Sequence, residues 1–379
     1  MRCESAMPVA VLSCVVTGTG DGPDAWDPRD RRGRRYPLLA LVRAAACAVV
    51  AGARSYAAIG QWLGRAPQHT LERLGFPPRG ALGVRPAASM DTVRRVVEKL
   101  NPDGLAALLR PADGPGSRPR RLAADGKSAR GSRTRHRQAA HLLSVIDQDD
   151  RLIAQLRVPD KTNEIPCLRD LLETLDITGT VVTADALHTQ VETARFLVEA
   201  KQAHYVLTVK ANQPTLYASC RALPWREVTA KYYDRSRGHG RTETRVVQVL
   251  TVSHFAFPHV RQVARITRHR TETATGKRTR ETVYVITDLP SARAKPADLA
   301  QAVRGHWGIE NKIHYVRDTL WDEDRSQVRT GHGPENMATL RNAALNHLRA
   351  DGAANIAAAV RDLSYEPFTK PLDLLGIPR

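Results

Sequence analysis

The stretch Thr180-Val181-Val182-Thr183-Ala184-Asp185 decides the fold. Its β-branched run suits a strand buried inside a sheet, and the run closes on a carboxylate. Upstream, Asn163 can cap a helix whose Ile165, Leu168, Leu171, Leu172 and Leu175 fall on one side. Before that helix, Arg121 to Asp125, Leu142 to Asp147 and Leu152 to Val158 read as strands, the last two joined by the polar turn Gln148-Asp149-Asp150. Downstream, residues 190–202 read as a helix and His204 to Val209 as a strand. The order βββαβαβ predicts an α/β layered domain around a central mixed sheet.

Outward from this block the pattern changes twice. Residues 214–296 turn polar, Arg-rich and β-branched, with Val246 to Val252, Val263 to Arg268 and Thr282 to Thr287 as strands of a β-rich insertion. The last two are joined across Thr275-Gly276-Lys277. Helices resume from about Ala297 to Leu320 and from Glu335 to Arg349, so the α/β core is expected over 121–213 and 297–350. Residues 351–379 read as a C-terminal tail. On the N-terminal side, 111–120 is a linker and 27–110 a small all-helical domain. Its helices are Leu38 to Val50, Ser55 to Leu63, and one opened by Ser89 in which Val93, Val96, Val97 and Leu100 form the stripe. Arg94 and Arg95 beside that stripe suit either a helix-turn-helix reader or a plain helical scaffold.

The 379 residues suffice for two packed domains, and with 42% hydrophobic and 25% charged residues a globular core is expected rather than disorder. The net charge of +18 points to a polyanionic partner without choosing between DNA, RNA and an anionic membrane surface. Asp27 to Arg35 packs five arginines, Arg31, Arg32, Arg34 and Arg35 among them, into nine residues suited to contact phosphate or to form a solvated face. Five dispersed cysteines with no C-x-x-C pair argue against a disulfide framework and a cysteine zinc site, and fit a cytoplasmic protein. Residues 1–26 read as a loose leader whose apolar run from Met7 to Val16 lacks a cleavage site. Leu38 to Ala53 carries Arg43 and is too short to span a bilayer comfortably.

Three carboxylates stand where a metal site needs them. Asp125 and Asp185 each end a strand, and a right-handed βαβ layout can set those strands side by side. Glu310 lies on the late helix about 100° around the wheel from Ile309, beside the packing stripe Ile309, Ile313, Val316 and Leu320. Hard cations such as Mg2+ and Mn2+ prefer oxygen ligands. Two of them roughly 3.5–4 Å apart can activate an attacking oxygen and stabilise a departing one in phosphodiester cleavage. Asp125 is the one acid among eight Lys and Arg residues in 118–137, of which Lys127 and Arg130 are expected to contact the DNA phosphates. Lys161 either contacts DNA or merely precedes the capped helix, and Trp307 reads as a packing residue.

Long motifs in matching order resemble the bacterial insertion-sequence DDE transposases that carry a DDE-associated N-terminal domain and are related to H-repeat-associated proteins. The motifs are Asp27 to Arg35, Ala53-Arg54-Ser55-Tyr56, Ala124-Asp125-Gly126-Lys127, Lys161-Thr162-Asn163-Glu164-Ile165-Pro166 and Thr183-Ala184-Asp185-Ala186-Leu187-His188-Thr189-Gln190. Tyr205 to Lys210, His306-Trp307-Gly308-Ile309-Glu310-Asn311 and Glu323 to Gly331 complete the set. The resemblance implies an RNase H-like catalytic core with a β-rich insertion, and Asp125, Asp185 and Glu310 as the triad binding two Mg2+ or Mn2+ ions. It implies binding of terminal inverted repeats and target DNA as duplexes, strand cleavage and strand transfer. A homodimer or larger assembly near the nucleoid, without a membrane, is expected. A degenerate or domesticated nuclease without mobility, or a non-catalytic DNA-binding regulator, is the alternative. Related cut-and-paste transposases carry Tyr-x2-Arg-x3-Glu-x6-Lys around the third acid, and those places here hold Val303, His306 and Arg317. Arg317 can replace the lysine as a phosphate contact, and His306 can still donate a hydrogen bond.

Overall fold

A computed structural model of the chain describes residues 27–109, 119–238 and 240–378. The leader 1–26 and most of the linker 111–120 lie outside the described residues. The N-terminal helices are α1 (Leu38–Val50), α2 (Tyr56–Gly64), α3 (Gln68–Leu74), α4 (Met90–Lys99) and α5 (Pro102–Leu108). Ser55 and Ser89 each accept a backbone N–H in the first turn, from Ala58 and Thr92, which sets where α2 and α4 start. Val93, Val96 and Val97 are buried, as their spacing requires.

One nine-stranded sheet follows. Its strands are β1 (Arg121–Ala129), β2 (Ala140–Asp147), β3 (Leu152–Val158), β4 (Val181–Ala184), β5 (His204–Val209), β6 (Lys231–Gly238), β7 (Arg241–Thr251), β8 (Gln262–Glu272) and β9 (Arg278–Thr287). The order across the sheet is β3-β2-β1-β4-β5-β9-β8-β7-β6. β1 is parallel to β4 and β4 to β5, and the other pairs are antiparallel. The βββαβαβ order therefore holds, with α6 (Glu164–Glu173) and α7 (Val191–Arg195, continued by a π-helical turn Phe196–Ala200) as its helices.

Three features correct or add to the sequence reading. β1 does not end at Asp125: the β2 ladder carries it four residues further, to Ala129↔Ala140. The strands of the β-rich insertion continue the core sheet, because β9 pairs with β5. The inserted residues also hold helix α8 (Pro214–Ala222) and strand β6, whose exposed, charged sequence gives no alternation to read.

After the sheet come α9 (Pro296–His306), a π-helical turn (Ile309–His314), α10 (Tyr315–Trp321) and α11 (Gly333–Ala350). The segment read as a tail forms α12 (Ile356–Tyr365) and α13 (Lys370–Leu374). Trp62 and Thr70 donate to the carbonyls of Pro367 and Phe368, holding that segment on the N-terminal helices. Helices α6 and α7 bury Leu168, Leu172 and Leu197 against one face of the sheet. The opposite face meets α9 through Leu299 and Ala302, and meets Ile309 and Ile313 through Ala123 and Ile146. Those two isoleucines share a core with α1, α4 and α11, and Trp321 donates to the carbonyl of Val49 at 2.9 Å. The Glu310 segment is thus wedged between the sheet and the helical region.

Candidate metal centre

The β1–β4 register places the first two acids. Ala124 pairs with Ala184, so Asp125 and Asp185 are the next residue on each of two adjacent parallel strands. Asp125 stays in the β2 ladder opposite Ser144, while Asp185 starts a short turn and accepts the Ala186 N–H at 2.6 Å. Glu310 comes from the π-helical turn. Its Oε2 accepts from His314 Nδ1 at 3.0 Å, and the same nitrogen lies 3.6 Å from Asp125 Oδ2. One ligand atom each from Asp125, Glu310 and His314 lie within 4.8 Å of one another. The Asp185 carboxylate stands outside that cluster and is paired with Lys210 Nζ at 3.2 Å.

The two aspartates are driven in opposite directions. Burial, with the charges of Glu164, Glu310 and Asp185 added, pushes Asp125 up to about 6, although the Gly126 amide works against it. Burial acts the same way on Asp185, but the Ala186 amide and the Lys210 ammonium hold it below the usual carboxylate range. Burial pushes His314 down, so its ring is neutral at pH 7, and its Nε2 is buried with no partner. The facing carboxylates of Asp125 and Glu310 fit a hard divalent cation, with the neutral His314 ring orienting Glu310 beside them. Asp318, the next acid along the helix, is turned away to Lys127 Nζ at 2.7 Å.

A second cluster lies against the same strand. Glu164 Oε1 is 2.6 Å from His141 Nε2 and Glu164 Oε2 is 3.2 Å from His188 Nε2. Against the effect of burial, those two hydrogen bonds hold Glu164 at about 2. A Cβ on Gly126 would come within 2.5 Å of Glu164 Oε1, so only glycine leaves room there. Sequence reasoning missed Glu164, His141, His188, His314 and Lys210 as candidate site residues. The signal available for His314 was its spacing of four from Glu310, which puts both on one helical face. No spacing signal links Glu164 to His141 and His188.

The basic residues separate into two groups. Arg31, Arg32, Arg34, Arg35, Arg95 and Lys161 are exposed, and the Arg130 side chain is 78% exposed. Arg34 also donates to the carbonyls of Arg29 and Asp27, and Arg94 is held by Asp91 and Glu98 on its own helix. Lys127 and Arg317 depart from the expected phosphate contacts. Lys127 is spent on Asp318 and Asp324. Arg317 is fully buried, paired with Glu323 at 2.8 Å, and Glu323 also takes Arg341 at 2.9 Å. A guanidinium neutralised inside the core is out of reach of DNA.

His306 Nδ1 lies 3.3 Å from Thr183 Oγ1, whose hydroxyl donates to the Leu122 carbonyl. Burial pushes the His306 pKa down to about 4, so the ring is neutral at pH 7 and carries a single N–H. Trp307, expected to pack, is 57% exposed beneath the Arg268 guanidinium.

Residues 116–347 match the family model described as the transposase DDE domain, and residues 24–111 match the DDE_Tnp_1-associated model. Three similar proteins are the "Putative protein YbfL" and the "H repeat-associated putative transposase YhhI", both of Escherichia coli K12, and the "Putative transposase YncI" of Escherichia coli O157:H7. Each is 30% identical over 244 residues, which are 60–61% of this chain and 61–64% of the relative. The match thus spans less than two thirds of those relatives' length. Among solved structures, the piggyBac transposase synaptic complex with hairpin DNA aligns over 98% of this chain and 82% of its own, at 10% identity and a TM-score of 0.44. No helix among the described residues is long and apolar enough to cross a membrane. With the carboxylates on their two strands and the late helix, and the DDE-domain match covering more than half of the sequence, the chain belongs to the DDE transposase family.

Proposed function

We propose that this chain is the transposase of an insertion sequence, acting on DNA in the cytoplasm. In this reading it binds the element's terminal inverted repeats as duplex DNA and cleaves and joins strands at Asp125, Asp185 and Glu310. The observation that carries the reading is the Ala124↔Ala184 register, which makes Asp125 and Asp185 neighbours, with His314 linking Glu310 to the first of them. Two Mg2+ or Mn2+ ions held by these carboxylates would activate the attacking oxygen and stabilise the departing one.

The chain's own groups have separate tasks. His314 keeps the Glu310 carboxylate turned toward Asp125. Lys210 offsets the charge of Asp185 and offers an ammonium beside the phosphate that would lie there. The exposed arginines of the N-terminal segment and Arg130 hold the DNA backbone through charge. Two copies of the chain, one at each element end, are the expected working assembly.

The test is a set of charge-removing substitutions, Asp125→Asn, Asp185→Asn and Glu310→Gln, with Asp318→Asn as control. Nicking of an end-containing duplex in Mg2+ or Mn2+ is measured beside binding in Ca2+. Each triad variant should bind and fail to cut, and the control should cut. A dead Asp318→Asn beside an active Glu310→Gln would move the third ligand to Asp318.

A further inference from the structure

We propose that Glu164 is a positioning residue that sets the gap between Asp125 and Asp185 through a side-chain bridge from β1 to the turn after β4. The inference rests on reading those two aspartates as the metal-holding pair. The β1–β4 pairing stops at Ala124↔Ala184, one residue short of both, and β4 itself ends there. Beyond that point no sheet hydrogen bond between these strands fixes one carboxylate against the other.

The bridge begins and ends symmetrically. Ser128, three residues after Asp125, lies 2.8 Å from His141 Nδ1 through its Oγ. His141 passes through Glu164 to His188, three residues after Asp185. The His188 N–H donates to the Asp185 carbonyl at 2.9 Å, so the imidazole rides on the same rigid turn as the acid. His188 is wholly buried, which fixes that end of the bridge. Glu164 is held at the start of α6, whose cap Asn163 accepts the Ile165 N–H. On the far side the turn is tied to β5, where Thr189 donates to the Thr208 carbonyl. That link fixes the turn relative to β5 and says nothing of its distance from β1.

A carboxylate suits this position because it accepts from both rings at once, whereas an amide accepts at one end only. Glu164→Gln keeps the shape and turns an N–H2 toward one histidine. The experiment uses the full chain and Mn2+ as the probe. Bound Mn2+ is followed by the loss of its free electron-spin signal, beside nicking across a Mn2+ titration and thermal melting in EDTA.

The expected result is a folded Glu164→Gln protein whose half-saturating Mn2+ rises about tenfold, the lower end for groups that orient metal ligands. Its nicking rate at saturating Mn2+ should stay within about threefold of the parent, since binding and not the chemical step has been weakened. Unchanged Mn2+ affinity in a folded variant overturns the proposal. So does unchanged affinity with nicking lost at every Mn2+ concentration, which would make Glu164 a participant in the chemistry. If Glu164→Gln fails to fold, His141→Gln, at the more exposed end of the bridge, must raise the Mn2+ requirement in the same direction. Asp125→Asn separates the two levels: if it binds Mn2+ and cuts as the parent does, the metal-centre reading fails and not the bridge alone.

Discussion

Replacing Asp125 by Asn should stabilise the metal-free protein by an amount that grows as pH rises from about 4 to about 6 and is constant above that. In the folded chain Asp125 is pushed up to about 6 from its usual 3.8, by burial and by the facing charges of Glu164, Glu310 and Asp185. Between those values the folded protein keeps a proton that the unfolded chain has released. Its stability therefore falls as pH rises through the window, and the full penalty is present above pH 7. A shift of about two units at about 1.4 kcal/mol each makes that penalty about 3 kcal/mol. Asn, which never ionises, removes it.

The assay is thermal melting of parent and variant in EDTA at pH 4, 6 and 8. Reading the difference between the two proteins cancels the histidines, which titrate in both. A gain of about 3 kcal/mol corresponds to about 4 °C in a chain of this size. It should be near zero at pH 4. Saturating Mn2+ at pH 8 should raise the parent's melting temperature and leave the variant's unchanged, because the ion relieves the same repulsion. A variant no more stable than the parent at pH 8, or equally stabilised at pH 4, would refute the account of Asp125 as a buried and repelled carboxylate.

Further outcomes follow from particular side chains. Gly126→Ala drives a methyl against Glu164 and His141 and should cost about 1–3 kcal/mol by overpacking, read by urea unfolding, with nicking lost alongside. Glu323→Gln leaves Arg317 and Arg341 buried without their shared anion and should cost about 3–5 kcal/mol, with no selective loss of DNA affinity in whatever fraction stays folded. Replacing Arg31, Arg32 and Arg35 together by Ala should weaken DNA binding and reduce the slope of log K against log salt by about 0.9 for each phosphate no longer neutralised. An unchanged slope would put the electrostatic attraction elsewhere on the chain.

The sequence was most legible where local chemistry and the final fold agree. The caps Ser89 and Asn163 mark their helix starts in the structure as they do along the chain. The strands Leu152–Val158 and His204–Val209 lie where their apolar runs place them. It was misleading where a partner decides the outcome. Asp125-Gly126-Lys127 looks like a strand end, yet the β2 ladder carries β1 on to Ala129. Strand β6 is almost entirely exposed, so it has no hydrophobic rhythm to betray it.

By itself, then, the sequence determined the alternation of strands and helices and the basic character, and offered three candidate acids, because each is written in neighbouring residues or in composition. Only the tertiary structure decided which charges are available. Arg31 and Arg317 are the same side chain, but one is exposed and the other lies in the core against Glu323. It also decided that Glu164, His141 and His188, from a helix, a strand and a turn, meet over Gly126. Periodicity reports which face of its own element a side chain occupies. Distance between elements is set by packing, and the acid–base character of the site follows from that distance and from burial.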